Sequence, residues 1–366
     1  MSDVIVSPRA RLVRRLGVPA ALLAAVFLPV LYADSATLQM GLFVCSAAIA
    51  AIALNLLFGV GGQLNLGHGF FVAIGAYGYA ILSGHGRSGA GLPTWLAAIL
   101  ATALAGLAGL LFSPISARVK GIYLGIATLA LVFLGQYILI NADTYTGGFN
   151  GRPVEPLSLG PLRFSDDSGL ALGAIPLGQY EMLWLLGVPL VAATWWFAQG
   201  IVDGRPGRAL MVMRDNEVAA AVLGVDVRRA RRDAFVVSSL IAGLAGVLYA
   251  LSVGQIVPDS FGLTLSVDYL AMVVIGGLAS MGGSVVGALV VTGIPLILTR
   301  YSASVPVLSD GGLTANTVSQ FFYGGLVIVL MIFEPNGLAA VLKRTAPRRG
   351  LPANDHREPV PATEGV

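Results

Sequence analysis

Runs of apolar residues long enough to cross a lipid bilayer recur along most of this 366-residue sequence. An α-helix needs about 20 such residues to span the hydrocarbon core. Candidate spans lie at residues 16–32, 38–60, 70–83, 92–114, 121–140, 182–199, 234–256, 266–282, 284–300 and 317–334, about ten by this criterion. The run at 70–83 is short, and the run at 266–282 is interrupted by glycine. Backbone in hydrocarbon must satisfy its own N–H and C=O groups, which a helix does within one segment. The expected fold is therefore all-α, a polytopic membrane helical bundle.

Composition agrees. Only 11% of residues are charged, 56% are hydrophobic, and mean hydropathy is +0.82. Soluble domains carry about 25% charged residues, and a chain this poor in charge could not cover a water-facing surface. The net charge of +3 and pI near 9.1 are compatible with nucleic-acid binding, but the placement of the charge is not. Basic residues cluster between and beside alternate spans, as the positive-inside rule requires. With the N-terminus inside and all spans crossing, every one of the 22 Lys and Arg lies on the inner side except Arg87, Arg152, Arg163 and Arg300. The outer segments hold acids instead, among them Asp34, Asp143, Glu155, Glu181, Asp259 and Asp310. Both termini are thus expected in the cytosol of a cell whose inner (plasma) membrane holds the chain.

The domain reading follows. Residues 1–15 form a basic cytosolic N-terminus, and the run at 16–32 is read as an uncleaved first helix because no small-x-small cleavage site clearly follows. Residues 16–337 form the membrane domain, with a long outer loop at 141–181 and an inner loop at 200–233. Residues 338–366, rich in proline and charge, read as a disordered cytosolic tail. The single cysteine, Cys45, excludes an internal disulfide, and the three histidines are dispersed, so no metal site is expected. The spans hold almost no ionisable residues beyond Asp268, near one end of its run, which argues against ion-coupled transport.

The inner loop is the most informative segment. It contains Gly207-Arg-Ala-Leu and then Met213-Arg-Asp-Asn-Glu-Val-Ala-Ala-Ala-Val-Leu-Gly-Val. Asp215 or Asn216 can cap a short helix, Glu217 suits its first turn, and Gly224 suits its end. The product is a helix of about two turns, either a knob that docks into a groove on a partner or a solvated amphipathic linker.

This stretch resembles the cytosolic coupling loop of ABC importer permeases, and more narrowly that of the LivM-type permease subunits of branched-chain amino acid importers. Four further stretches resemble that family in order and spacing, together covering about residues 38–337. They are Asn55-Leu-Leu-Phe-Gly with Gly62-Gln-Leu-Asn-Leu-Gly-His-Gly69, Lys120-Gly-Ile-Tyr-Leu-Gly-Ile-Ala-Thr-Leu-Ala130, Thr146-Gly-Gly-Phe-Asn-Gly151, and Met272-Val-Val-Ile-Gly-Gly-Leu-Ala-Ser-Met-Gly-Gly283. The general Glu-Ala-Ala-x-x-x-Gly pattern is shifted here: Ala219, Ala220 and Gly224 are in register, but Val218 stands at the acidic position and Glu217 precedes it.

The resemblance implies the ABC importer permease fold and ATP-driven uptake of branched-chain amino acids by alternating access. It implies two ABC ATPase subunits, a second homologous permease and a periplasmic substrate-binding protein as partners, alongside membrane lipid and no nucleic acid. Arg214, Asp215, Asn216, Glu217, Ala219, Ala220 and Gly224 are the implied ATPase-coupling residues. A urea importer permease shares the architecture and is the rival within the family. Outside it, an ion-coupled secondary transporter or an integral-membrane enzyme would lack any use for the loop.

The sequence offers no P-loop by which this chain could hydrolyse ATP. Gly61-Gly62-Gln63 superficially matches part of an ATPase signature, but a P-loop needs a lysine behind a glycine-rich turn. Lys120 and Lys343 follow Val119 and Leu342. ATP is therefore expected on partner subunits, and the chain is not an enzyme.

The glycine-rich segment 59–69 is either a pathway element or a turn between helices. Gln63, Asn65, His68, Tyr77, Tyr123 and Thr128 are the substrate-path candidates, with Gln136 and Asn141 as further polar groups. Each is more commonly a helix-packing residue. The breaks at 59–62 and 276–283 form a pair, a pattern that marks the pathway in some transporters. Gly121/Gly125 and Gly283/Gly287 have the four-residue spacing that lets helices approach closely in lipid.

Overall fold

The computed structural model describes residues 34–302 apart from gaps at 86–87, 120, 161, 166–170, 173–174 and 177, together with residues 29–30, 324–325 and 338. Nearly all of the expected spans at 16–32 and 317–334, the basic N-terminus and the tail beyond residue 338 lie outside the described residues. Within them the chain is a helical bundle. Six helices are long and apolar enough to cross a membrane, and two shorter apolar helices accompany them. All eight correspond to expected spans, so about ten crossings remain a fair reading of the full sequence.

The first long helix, α1 (Ser35–Leu54), is the central post. Its run Ala47-Ala-Ile-Ala-Ala-Ile-Ala53 is buried on every side, because small side chains admit neighbours all round. Without a break in direction it passes into a π-helical turn, Asn55–Val60. The expected interruption follows: Gly62 takes a positive φ of 66°, and 63–67 run without helix into α2 (His68–Ser83). Helices α3 (Thr94–Arg118) and α4 (Ile122–Asn141) complete the first half.

After the loop, α5 (Gln179–Asp203) returns through the bundle to a pair of short helices, α6 (Arg205–Asp215) and α7 (Glu217–Val222). Helix α8 (Val227–Val253) rises again. Helix α9 (Leu263–Gly276) descends about 21 Å at 1.5 Å per residue, short of the roughly 30 Å hydrocarbon thickness. A tight turn at 277–280 reverses it into α10 (Met281–Ala288), a second π-helical turn (Leu289–Gly293) and α11 (Ile294–Ser302).

Close packing centres on α2, α3 and α8. A methyl group on Gly75 would sit 2.1 Å from the Gly243 carbonyl oxygen, and one on Gly246 would sit 2.0 Å from that of Val72. Helices α9 and α10 touch in the same way: a methyl on Gly287 would lie 1.9 Å from the Met272 carbonyl, and Gly283 backs on Gly276. Gly125 packs against Leu64. Gly121 differs from these within the single chain. A methyl there meets nothing within 4 Å, and its φ of 57° makes it a turn residue rather than a contact point.

The two ends of the bundle differ in charge and architecture. At one end sit α6, α7 and the start of α8, with Arg205, Arg208, Arg214, Arg228, Arg229, Arg231 and Arg232. The other end carries 142–178, whose strands are short. Strand β1 (Arg152–Pro153) pairs antiparallel with β6 (Gln255–Ile256), joining this loop to the α8–α9 connection. The hairpins β2–β3 (Ser158–Leu159, Leu162–Arg163) and β4–β5 (Ala171–Leu172, Ile175–Pro176) complete it. Buried Arg152 ties the loop down, donating to the carbonyls of Ala80 (3.0 Å) and Tyr145 and to the Ser88 hydroxyl (3.1 Å).

Candidate functional site

The α6–α7 hairpin is built as a protruding knob. Helix α6 ends at Asp215, and Asn216 turns the chain in an extended conformation. The Asn216 Oδ1 accepts from the backbone N–H groups of Val218 and Ala219, both at 3.0 Å, so Asn216 rather than Asp215 is the cap. Gly224 closes α7 with a φ of 84°, a value that disfavours a side chain. On the free side Val218, Val222 and Leu223 are 75%, 82% and 73% exposed. Three large apolar groups on the tip of a basic, polar end have no reason to face water unless something covers them.

The other side of the knob is fastened inward. The Glu217 carboxylate pairs with Arg231 of α8 at 2.9 Å. Ala220 is fully buried, and its carbonyl accepts from the Val225 N–H at 3.0 Å. Arg214 donates to the Gly59 carbonyl, an oxygen in the π turn of α1. The expected coupling set therefore splits. Asp215, Asn216, Ala219 and Gly224 are exposed, whereas Glu217 and Ala220 pack on their own chain and Arg214, though exposed, bonds back to it. Exposed Val218, Val222 and Leu223 belong with the first group.

Gly59 stands at a junction of both helix breaks. A methyl on it would fall 2.5 Å from the backbone nitrogen of Ala279, in the α9–α10 turn. Asn55, fully buried one turn earlier, holds that turn through its amide. Its Nδ2 donates to Gly277 O (3.2 Å), Ser280 O (3.0 Å) and Ser284 Oγ (2.7 Å), and its Oδ1 accepts from Ala279 N–H (2.8 Å). Ala279 is held at a φ of 60°, the one positive value at a non-glycine among the described residues. The breaks at 59–62 and 276–283, distant in sequence, are thus one structural node, with Arg214 of the knob attached to it.

The substrate-path candidates fare differently. Gln63 is buried, accepts from Ser116 Oγ (2.7 Å) and donates to the Arg231 carbonyl (3.3 Å). Asn65 accepts from Gly67 N–H (2.8 Å), and Thr128 accepts from Leu66 N–H (3.0 Å) while donating to Gly125 O (2.9 Å). His68 Nε2 donates to Ala50 O (3.0 Å), and its ring meets Tyr269 edge-on. Tyr77 is buried against Phe261. In this conformation Gln63, His68 and Thr128 tie the 59–69 segment and the start of α2 to neighbours, Asn65 bonds within the segment, and the buried Tyr77 hydroxyl has no hydrogen-bond partner among the described residues. Tyr123 is 73% exposed on α4, facing away from the bundle interior. Buried polar groups find internal partners where the chain offers them, which accounts for the bonds of Gln63, Asn65, His68 Nε2 and Thr128.

The comparisons with known proteins bear on this geometry. The family model of the branched-chain amino acid transport system / permease component matches residues 37–331. The chain belongs to this family. The high-affinity branched-chain amino acid transport system permease protein LivM of Escherichia coli (strain K12) is 32% identical over 301 residues, covering 79% of this chain and 67% of that protein. The autoinducer 2 import system permease LsrC of Enterobacter sp. (strain 638) is 32% identical over 270 residues, covering 71% and 68%. The ribose import permease RbsC of Haemophilus influenzae is 27% identical over 202 residues, covering 53% and 56%. This is a multi-pass LivM-type permease of the ABC importer class.

Within the permease, sequence reasoning passed over two residues that the geometry makes central. Asn55 is an amide inside an apolar run, and polar side chains there commonly bond across helices, so its presence was a usable signal. Arg231 lies in the run Arg228-Arg-Ala-Arg-Arg232, where nothing local separates one structural arginine from charges that serve topology.

Proposed function

We propose that this permease imports branched-chain amino acids by alternating access, and that the α6–α7 knob receives the stroke of a separate ATPase. The observation that carries the reading is the knob's two-sidedness. Its apolar tip is free for a partner, while Arg214 and Glu217 join its base to the Gly59 node and to α8. A push on Val222 and Leu223 would travel through a rigid helix of two turns to the two helix breaks, where the backbone is already able to turn. This requires no chemistry in the chain itself, and the nucleotide is held by the partners.

The positive-inside rule supports placing the arginine-rich knob end in the cytosol and the 142–178 loop in the periplasm. On that placement two ATPases meet the knobs of this chain and of a second, homologous permease. A substrate-binding protein delivers its cargo at the loop end. The names of the LivM relatives favour branched-chain amino acids, and the ribose and autoinducer 2 relatives define which other cargoes must be tested.

The test uses the complete complex in proteoliposomes with internal ATP, offered leucine, isoleucine, valine, urea or ribose. Leucine-type uptake that needs ATP is expected, with urea and ribose inactive. V222D and L223D are expected to insert normally but to lose co-purification of the ATPase, because burying a carboxylate in an apolar contact weakens it by about tenfold or more. Uptake by the chain without any ATPase, or unchanged ATPase retention in both variants, defeats the proposal.

A further inference from the structure

A cavity of about 320 Å³ opens between α1, α8, α9 and the π turn that precedes α11. Binding pockets for small molecules begin at about 300 Å³, so this one has room for a ligand the size of an amino acid. Its wall is largely apolar, with Phe43 of α1 and Met272 of α9 among the contributors. The same lining holds one carboxylate, Asp268 of α9, and the hydroxyl-bearing Tyr249, Tyr269 and Thr292.

Asp268 is anomalous. The ion pairs among the described residues are His85–Glu155, Arg231–Glu217, Arg232–Asp233 and Arg300–Asp34, and Asp268 is in none of them. No described residue hydrogen-bonds its carboxylate either. A carboxylate inside a membrane bundle carries a desolvation cost, and such groups characteristically mark substrate or ion routes. Two features of the backbone point to the same place. Helix α9 is too short to cross alone, so irregular backbone reaches into the membrane ahead of it, which is tolerated where it lines a cavity or is buried in protein. Thr292 lies in the π-helical turn Leu289–Gly293, a form that recurs at functional sites.

We propose that this cavity is a station for the amino acid on its way through the permease, with Asp268 receiving the α-ammonium group. The inference rests on the import reading above and deepens it. The chemistry of the walls matches both parts of a branched-chain amino acid. The carboxylate accepts charge-assisted hydrogen bonds from the ammonium, the hydroxyls of Tyr249, Tyr269 and Thr292 can donate to the α-carboxylate, and Phe43 and Met272 meet the aliphatic side chain. A sugar or urea has no cation to offer Asp268, so the site also discriminates among the cargoes of related permeases.

The experiment has two arms. In the first, the complete complex is reconstituted and leucine uptake is measured at saturating loaded binding protein. D268N is expected to lower uptake by about tenfold or more, the loss of one charge-assisted contact, with D268E intermediate and complex assembly and stimulated ATP hydrolysis retained. The second arm needs no variant. The purified permease–ATPase complex, without binding protein, is treated with dicyclohexylcarbodiimide, and modification of Asp268 is read by peptide mass spectrometry. Leucine and 3-methylbutylamine, which carry the ammonium, are expected to protect Asp268, whereas 4-methylpentanoate, which lacks it, is not. Normal uptake by D268N overturns the inference, as does labelling that neither amine prevents or an Asp268 that does not label at all. Failure of the wild-type complex to take up leucine sinks the import reading instead, and amine protection is read independently of it.

Discussion

The bundle contains two polar centres built on opposite plans, one around Asn55 and one around Asp268. At Asn55 the amide donates to three oxygens and accepts from one N–H, so both ends of the side chain are used by the α9–α10 turn. At Asp268 a charged group faces a cavity and no described residue binds it. A satisfied buried polar group fixes geometry. A half-buried carboxylate with no partner among the described residues leaves its charge open to a ligand. The first centre belongs to the machinery that moves, and the second to what is moved.

That contrast can be broken by substitution. N55L should destabilise the permease most, by about 3 kcal/mol, because the Ala279 N–H loses its partner and the turn loses its plug. D268N should change stability by less than about 1 kcal/mol while impairing uptake. Thermal unfolding in detergent of both variants checks this, and equal losses of stability would erase the distinction. A smaller effect sharpens the mechanical side. R214M keeps the aliphatic stem but loses the bond to the Gly59 carbonyl, so ATP hydrolysis should persist while leucine uptake per ATP falls about tenfold, the worth of one charged hydrogen bond. Parallel assays of hydrolysis and uptake separate coupling from assembly.

The smallest effect compares two carboxylates. Asp34, at the head of α1 outside the membrane-spanning run, is the satisfied counterpart of Asp268. A hydrogen bond from Thr37 and contact with Arg300 lower its pKa from 3.8 to about 2. Because the folded value lies below the ordinary one, its contribution to stability is complete above about pH 4 and is lost as pH falls towards 2. The group is fully exposed, so the difference in melting temperature between wild type and D34N should be slight at neutral pH and should vanish by about pH 2.

Much of the fold could be read from the residues, because the bilayer imposes a length on every apolar run and a sign on every basic cluster. Asn216 capping α7 and Gly224 ending it follow from local backbone chemistry, which sequence reports well. The partners of the polar residues did not follow, because Gln63, Asn65, His68 and Thr128 read the same in sequence whether they line a passage or bond to a neighbour. Which of these occurs depends on residues such as Ser116 and Ala50, brought close only by the fold. Gly121 and Gly75 make the same point. The first sits at textual GxxxG spacing and touches nothing, while the second, at no such flagged spacing, meets another helix backbone to backbone.

That last contact limits how the molecule can change shape. Where Gly75 and Gly246 let α2 and α8 meet with no side chain between them, there is no soft layer to compress or slide. These two helices must therefore travel as a single block. Any widening of the bundle falls to other contacts, and the central α1 and its neighbour α10 each lead into a turn wound one residue looser than the helix before it. An importer assembled this way works like a door whose leaf is solid and whose give is confined to two joints.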